Sequence, residues 1–137
     1  MKVVLDSGAI MPRRAHEYDA GLDLFSPVRQ VIRAGEWVSI DTGVHLEIPM
    51  GYVGLITSKS GLMSKEGITS RGTVDYGYTG SIRAVLFNHS MKDYIVEKGQ
   101  KITQLVLLPI ITPDLEVVDH LEDTERGSGG FGSTGQF

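Results

Sequence analysis

Apolar and polar residues alternate along much of this chain, and helical periodicity is nearly absent. The alternation is clearest where five aliphatic side chains are separated by polar ones: Val38, Ile40, Val44, Leu46 and Ile48 alternate with Ser39, Asp41, His45 and Glu47. A period of two is typical of a β-strand that buries one face. Shorter patterns of the same kind predict strands at Leu22–Phe25, 28–33, Tyr52–Thr57 and 82–87. Residues 102–111 are more continuously apolar, and we expect them to be buried on both faces.

Glycine and proline interrupt these patterns at Gly35, Pro49, Gly67, Gly99 and Pro113. Many short strands separated by turn residues are typical of a sandwich or a barrel. The predicted fold is therefore all-β, a distorted jelly-roll or barrel-like domain over residues 1–125. Residues 60–66 are the one place where a short helix is expected. Residues 126–137 are predicted to form a flexible, glycine-rich C-terminal arm.

The composition narrows the classes of function. A length of 137 residues suits one domain, and the absence of cysteine excludes disulfides and thiolate chemistry. A net charge of −4 argues against a surface that coats nucleic acid. No apolar stretch has the length of a membrane span, and the N-terminus lacks a signal-peptide pattern. We therefore expect an intracellular, cytoplasmic protein, of cellular or viral origin, without nucleic-acid or membrane partners.

The arm has a composition suited to a nucleotide. Five glycines lie between Gly127 and Gly135, together with Arg126, Phe131 and the hydroxyls of Ser133 and Thr134. Glycine allows backbone N–H groups to approach a phosphate, and arginine binds phosphate oxygens through two nitrogens. A phenylalanine ring can stack on a nucleobase. The segment is thus interpreted as an arm that closes over a nucleotide, and the plainer alternative is a disordered Gly/Ser tail.

Four internal segments carry related chemistry. Residues 20–26 place Asp23 inside an apolar strand, where a carboxylate is costly unless it is paired. Residues 58–63 combine lysine, serine and glycine, and residues 72–80 form a glycine-bounded hairpin with one aspartate and two tyrosines. Residues 98–105 form a turn that enters a strand. Taken singly, each segment also fits an ordinary turn, hairpin or surface carboxylate.

In this order and spacing, the four segments and the arm resemble the motifs of the homotrimeric dUTP diphosphatase (dUTPase) family. The resemblance extends from about residue 20 to residue 134. Its most specific parts are the hairpin 72–80 and the arm sequence Arg-Gly-Ser-Gly-Gly-Phe-Gly-Ser-Thr-Gly at 126–135. The resemblance implies hydrolysis of dUTP to dUMP and pyrophosphate with Mg²⁺ as cofactor. It also implies a homotrimer whose active sites lie between subunits.

The resemblance implies that two side chains take part in catalysis. Asp75 matches the aspartate that activates the attacking water, and Gln104 matches the glutamine near the α-phosphate. Asp23 matches an acid that lies near the metal and its waters, so its contact with the ion is expected to be indirect. The sequence has no dense group of carboxylates, and Mg²⁺ is therefore expected to arrive on the triphosphate.

Substrate binding is assigned to the remaining matches. Lys59, Ser60 and Gly61 match phosphate-contacting positions. Backbone groups around Thr73 and Val74 are expected to read the uracil edge, and Tyr78 is expected to pack under the deoxyribose and exclude a 2′-hydroxyl. In the arm, Phe131 is expected to cover the uracil. The expected phosphate contacts of the arm are Arg126, Gly132, Ser133 and Thr134.

Three features depart from the usual family pattern. Lys59 stands where arginine is common, and a lysine cannot make the same two-pronged phosphate contact. Gly77 stands where many members have a second aspartate. The segment 67–74 is shorter than in many members of the family. The expected uracil contacts are therefore least well defined in this segment.

Two alternatives differ from a dUTPase in testable ways. The first is a dCTP deaminase or a bifunctional enzyme with both activities. A deaminase shares the fold and a similar turn, but its catalytic glutamate would align with Val85, and residues 82–88 contain no acid. A dUTPase-like regulatory protein would hold nucleotide without turning it over. Loss of the hairpin aspartate or of the arm would indicate such a protein, and both are present here.

Overall fold

A computed structural model describes residues 1–130 of the chain. Within these residues the chain forms ten strands and one helical turn. The strands are β1 Val3–Leu5, β2 Leu22–Phe25, β3 Gln30–Ile32, β4 Trp37–Asp41, β5 Val44–Leu46, β6 Tyr52–Thr57, β7 Ile68–Val74, β8 Arg83–Asn88, β9 Tyr94–Val96 and β10 Lys101–Pro109.

Six of these strands form one antiparallel sheet in the order β2-β10-β6-β7-β8-β4. The sheet curls into a half-barrel. Two small antiparallel pairs, β1–β5 and β3–β9, complete the architecture. The predicted all-β, jelly-roll-like fold is confirmed.

The interior is divided into two apolar clusters. The first cluster contains Leu24, Val44, Leu46, Ile48, Ile56, Val74, Ile82 and Leu105. The second contains Ile32, Ile40, Ile68, Ala84, Leu86, Val96 and Ile102. Both draw on alternate positions of several strands, as the period-two pattern requires. Gly54 allows the first cluster to close, because a Cβ at this position would lie 2.8 Å from Leu105 Cδ1.

The predicted strands agree with the structure to differing degrees. Leu22–Phe25 and Tyr52–Thr57 coincide with β2 and β6, and the alternating stretch 38–48 becomes β4 and β5. The two parts are separated by a tight turn at Gly43, whose φ of 65° suits glycine. Three strands, β1, β7 and β9, were not predicted.

The prediction that residues 102–111 are buried on both faces is wrong for the second half of the stretch. Ile102 and Leu105 are buried, but Leu108 is 42% exposed and Ile111 is 87% exposed. The reason lies in the pairing of β10. Its partner β2 ends at Leu105↔Leu22, and only β6 continues alongside to Pro109.

The predicted short helix is present as a π-helical turn at Leu62–Glu66. Gly67 ends it with a φ of 68° and donates its N–H to Leu62 O. No helix within residues 1–130 is both long and apolar enough to cross a membrane. Residues 110–130 lie outside the strands and are mostly exposed. The domain boundary at residue 125 stays a prediction.

Candidate active site

The most buried charge in the described chain is the carboxylate of Asp23. Of its neighbours in β2, Leu24 belongs to the first apolar cluster and Leu22 packs against it, and Asp23 itself is 2% exposed. Lys59 Nζ contacts Oδ1 and Lys101 Nζ lies 2.8 Å from Oδ2. Burial pushes the pKa of Asp23 upward, but the hydrogen bonds and charges of Lys101 and Lys59 outweigh it, so its pKa lies below the ordinary value. Asp23 is therefore held as an anion between two cations.

A β-bulge brings Lys101 to this carboxylate. In β10, Gln104 pairs with Asp23 and Lys101 pairs with Phe25, so both side chains lie on the face of β2 that carries Asp23. Residues three apart lie on opposite faces of a regular strand. The register shift between Lys101 and Thr103 adds one residue and corrects the phase.

Gln104 lies beside Asp23 in a cavity of about 280 Å³. Its Nε2 donates to Ser58 O at 3.2 Å, which links β10 to the end of β6. The side chain packs directly against Gly21, where a Cβ would come within 2.1 Å of Gln104 Oε1. Glycine at position 21 therefore leaves the space that this orientation of Gln104 needs. The cavity is lined by Ala15, Asp19, Ala20, Gly21, Asp23, Lys59, Gln104 and Val106.

A small network of hydroxyl groups fixes the two residues that precede Lys59. Ser58 Oγ donates to Ser70 O at 3.1 Å and accepts from Ser70 N at 2.9 Å. Thr103 Oγ1 donates to Thr57 O at 2.8 Å and lies 2.5 Å from Ser70 Oγ. These bonds join β6, β7 and β10 at one point. Ser60 and Gly61 follow at the exposed start of the helical turn.

The second part of the site is the hairpin formed by β7 and β8. These strands pair only through Ile68↔Asn88, Thr69↔Phe87 and Ser70↔Leu86. Beyond that point β7 continues its pairing with β6, and β8 continues with β4. The inner edges of residues 72–74 and 83–85 therefore face each other without ladder pairs in the described structure. Backbone N–H and C=O groups on such edges can bind the edge of a planar polar ring.

Asp75 and Tyr78 occupy the turn of this hairpin. Asp75 follows Val74, which is anchored in the first apolar cluster, and its own side chain is exposed. Gly77 has a φ of 82°, which favours glycine in the turn. The Tyr78 ring folds back over Gly80, where a Cβ would lie 2.4 Å from the Tyr78 hydroxyl. That hydroxyl donates to Ser81 O at 3.0 Å.

His45 ties the hairpin turn to β5. Its Nδ1 donates to Thr79 O at 2.8 Å, and its Nε2 lies 3.3 Å from Asp6 Oδ1. The bond to Thr79 raises the pKa of His45, and the carboxylate of Asp6 adds to the effect. Beside this contact, residues 76–79 line a largely apolar cavity of about 360 Å³ whose opposite wall includes Val3 and Leu46.

The hairpin turn and the polar cavity lie at opposite ends of β6 and β7. Thr57 pairs with Arg71 near the polar cavity, and Gly54 pairs with Val74 near the turn. Three residues along a strand span about 10 Å. Asp75 and Lys59 each lie beyond these pairs, in opposite directions. A single chain therefore unites Asp23, Lys59 and Gln104 but keeps Asp75 and Tyr78 apart from them.

The arm is described only in part. Arg126 is exposed, and its Nε donates to Gly129 O at 3.1 Å. The predicted contacts of Phe131, Gly132, Ser133 and Thr134 lie outside the described residues.

Known proteins resemble this chain over nearly its whole length. The profile of the dUTPase family matches residues 7–135. The chain is 46% identical to the deoxyuridine 5′-triphosphate nucleotidohydrolase of Clostridium acetobutylicum, over 96% of this chain and 92% of that protein. The protein of the same name from Paramecium bursaria Chlorella virus 1 is 44% identical, over 96% and 94%.

The chain belongs to the dUTPase family.

Solved structures of dUTPases have the same fold as this chain. The dUTPase of Staphylococcus bacteriophage 80alpha, solved with dUpNHpp, matches with a TM-score of 0.92 and 36% identity, over 98% of this chain and 97% of that one. A variant of the dUTPase of S. aureus phage phi11 matches with a TM-score of 0.83 and 33% identity, over 89% and 98%. That structure concerns the coordination of a structural Mg(II) ion.

Sequence reasoning missed Lys101, Gly21 and Gly80. The sequence assigns no role to Lys101, because no sequence pattern indicates the bulge that turns it toward Asp23. Gly21 leaves space for the distant side chain of Gln104, and Gly80 leaves space for the ring of Tyr78 in the same turn. The alternation of apolar residues indicates neither contact.

Proposed function

We propose that this protein is a dUTP diphosphatase that hydrolyses dUTP to dUMP and pyrophosphate. Family membership supports the activity. The observation that carries the mechanism is the separation of the hairpin turn, which holds Asp75 and Tyr78, from the polar cavity that Lys59 and Gln104 line. The hairpin supplies backbone groups and an aromatic ring, and the cavity supplies Lys59 and Gln104.

The nucleoside binds at the hairpin. Backbone groups of Thr73 and Val74 read the uracil edge from one side of the gap between β7 and β8, and the facing edge of β8 reads it from the other. Tyr78 lies under the deoxyribose. Its hydroxyl bond to Ser81 O and its contact with Gly80 fix the ring, so a 2′-hydroxyl is excluded by crowding.

The triphosphate binds at the polar cavity. Lys59 supplies a cation there, and Ser60 and Gly61 follow it with a hydroxyl and backbone N–H groups. Gln104 is held at the α-phosphate by its bond to Ser58 O and its packing on Gly21. Preorganised donors of this kind stabilise charge that develops on phosphate oxygens during the reaction.

Asp75 acts as the general base. Its carboxylate accepts a proton from a water molecule, and the water oxygen bonds to the α-phosphorus. The bond from the α-phosphorus to the bridging oxygen breaks, and pyrophosphate leaves. The exposed position of Asp75 in the turn gives water and substrate access to it.

The residues of the site fit a Mg²⁺ ion that would arrive on the triphosphate. Both oxygens of Asp23 already contact lysine ammonium groups, so this carboxylate does not suit direct metal ligation. Residues 1–130 contain no group of three or more acidic or histidine side chains placed to hold an ion. This donor set fits an ion that the phosphates and their waters would hold, and such an ion would supply electrostatic stabilisation of the departing pyrophosphate.

The complete site requires more than one chain. Since one chain separates Asp75 and Tyr78 from Lys59 and Gln104, the hairpin of one subunit acts with the cavity of its neighbour. A homotrimer with three equivalent sites satisfies this requirement, and Arg126 with Phe131, Gly132, Ser133 and Thr134 then closes over the bound nucleotide.

Pyrophosphate release from dUTP, dCTP, dTTP and UTP tests the proposal. We expect hydrolysis of dUTP to exceed that of the other three by orders of magnitude, and Asp75→Asn to abolish it while dUpNHpp still binds. Ammonia release from dCTP would instead indicate a deaminase. Binding of dUpNHpp by the wild-type chain without any turnover of dUTP would indicate a regulatory protein.

A further inference from the structure

Asp23 has two cationic partners, although one would neutralise it. Lys59 contacts Oδ1 and Lys101 contacts Oδ2, so the cluster of the three side chains carries one net positive charge. The two lysines differ in position. Lys59 lines the polar cavity, whereas Lys101 is not among the described residues that line it.

The ammonium group of Lys59 is already paired with Asp23, so a phosphate that draws it away weakens this pair. In the structure its Nζ contacts the carboxylate, and Asp23 is 2% exposed. Removing the only partner of a buried carboxylate leaves an uncompensated charge, which is strongly unfavourable. With a single lysine, therefore, binding of a phosphate at Lys59 would be opposed by the loss of the pair with Asp23.

We propose that Lys101 is a positioning residue that keeps Asp23 neutralised while Lys59 moves from Asp23 to the triphosphate. The inference rests on the proposed phosphate-binding role of Lys59. When the phosphate arrives, Lys59 exchanges one anionic partner for another, and Lys101 stays on Oδ2. The β-bulge in β10 serves this arrangement, because without the register shift Lys101 would lie on the opposite face from Asp23.

The inference differs from a direct role of Lys101 in phosphate binding. If Lys101 attracted phosphate by its own charge, its removal would weaken binding whether or not Asp23 is ionised. If Lys101 acts through Asp23, its removal matters only while the carboxylate is present. A double-mutant cycle between positions 101 and 23 separates the two.

The experiment measures binding of dUpNHpp and of inorganic tripolyphosphate by calorimetry. We expect Lys101→Met to weaken both by about tenfold, with the loss appearing in KM for dUTP more than in kcat. Lys101→Arg should restore binding to near the wild-type level. Lys98→Met, which removes an exposed lysine from the turn before β10, serves as the matched control and should change little.

In the Asp23→Asn background the same Lys101→Met change should alter binding by less than about twofold. An equal loss in both backgrounds would overturn the inference and leave the proposed function intact. If the wild-type chain bound neither probe, the phosphate site itself would be wrong and the inference would fall with it. Melting curves accompany each variant, and Lys101→Gln replaces Lys101→Met in the cycle if the latter is unfolded at the assay temperature.

Discussion

At the scale of single residues, the proposed site contains two glycines whose lack of a side chain matters to a neighbouring residue. Gly21 leaves room for Gln104, and Gly80 leaves room for the ring of Tyr78. Both contacts are with a side chain rather than with backbone, so a methyl group at either position displaces a functional group without distorting a strand.

Gly21→Ala should lower activity more than stability. The added Cβ would lie 2.1 Å from Gln104 Oε1, and the flexible end of Gln104 can swing away at a cost of about 1 kcal/mol or less. We expect the melting temperature to change by a few degrees at most, while kcat falls to the level of Gln104→Ala. Equal kcat in Gly21→Ala and the wild type would show that the observed orientation of Gln104 is not the working one.

Tyr78→Ala should weaken discrimination against UTP. The ring is fixed over Gly80, and its removal opens the space that would otherwise be denied to a 2′-hydroxyl. The ratio of kcat/KM for dUTP to that for UTP should fall by about tenfold or more. Tyr78→Phe is the matched control, since it removes only the bond to Ser81 O, and it should keep most of the ratio. A ratio that is unchanged in Tyr78→Ala would assign sugar selection to another residue.

At the scale of elements, the sequence determined some parts of the fold clearly and others hardly at all. The predicted bounds of Leu22–Phe25 and Tyr52–Thr57 agree with the structure. Both segments are short and largely apolar, which is typical of a strand that is buried. Strand β7 was missed because Ile68–Val74 is mostly polar, and its extension is imposed by pairing with β6. The exposure of the second half of β10 was not predicted for a similar reason. Burial there depends on strand pairing, and only β6 continues beside β10 after β2 ends.

In the candidate site, too, the sequence predicts some features, and others depend on strand pairing. Asp23 was recognised as an anomalous acid in an apolar strand, and the structure pairs it with Lys59, as a buried carboxylate requires. Lys101 was not recognised because a bulge is a property of two strands together. The separation of Asp75 from Lys59 likewise follows from antiparallel register, which a single sequence does not display.

The hairpin turn should be anchored more firmly at low pH. His45 donates to Thr79 O and faces Asp6, with Asp41 contributing a further negative charge, and its pKa in the folded chain is raised above 6.5. A raised pKa means that the folded state binds the proton more tightly than the unfolded state. The stabilisation is therefore complete below about pH 6.5 and is lost as the pH rises through the folded-state pKa.

Melting temperatures of the wild type and His45→Gln, measured from pH 5.5 to 8.5, test this linkage. The difference between the two should be greatest at the acidic end and should shrink as the pH rises. His120→Gln, which removes an exposed histidine, should show a pH-independent difference. A gap between wild type and His45→Gln that widened with pH would contradict the proposed anchor.

Removal of the arm should separate folding from catalysis. Up to Gly130 its described residues are largely exposed, and Arg126 bonds locally to Gly129. Truncation after Glu125 should therefore leave the melting temperature within a few degrees of the wild type, while kcat/KM for dUTP falls by about a hundredfold or more. Full activity in the truncated chain would make the segment a mere tail, and collapse of the fold would make it structural.

At the scale of the whole molecule, the proposed active site requires assembly of several chains. The polar cavity and the hairpin turn occupy opposite ends of β6 and β7, and apolar side chains such as Ile111 and Leu115 are 87% and 96% exposed in the single chain. Both observations favour a particle of several chains. Three chains of 14.9 kDa give 3 × 14.9 = 44.7 kDa, which light scattering distinguishes from a monomer.

The most direct test of the shared active site is complementation between two inactive variants. One variant carries Asp75→Asn in the hairpin, and the other carries Lys59→Met and Gln104→Ala in the polar cavity. Unfolded together in equal amounts and refolded, they should form mixed trimers in which some sites combine an intact hairpin from one chain with an intact cavity from another. We expect recovery of about a quarter of the wild-type rate of dUTP hydrolysis, since a site receives an intact hairpin with even odds and an intact cavity with even odds. Mixed trimers that showed no recovery would mean that each chain supplies both halves of its own site, and would contradict the account.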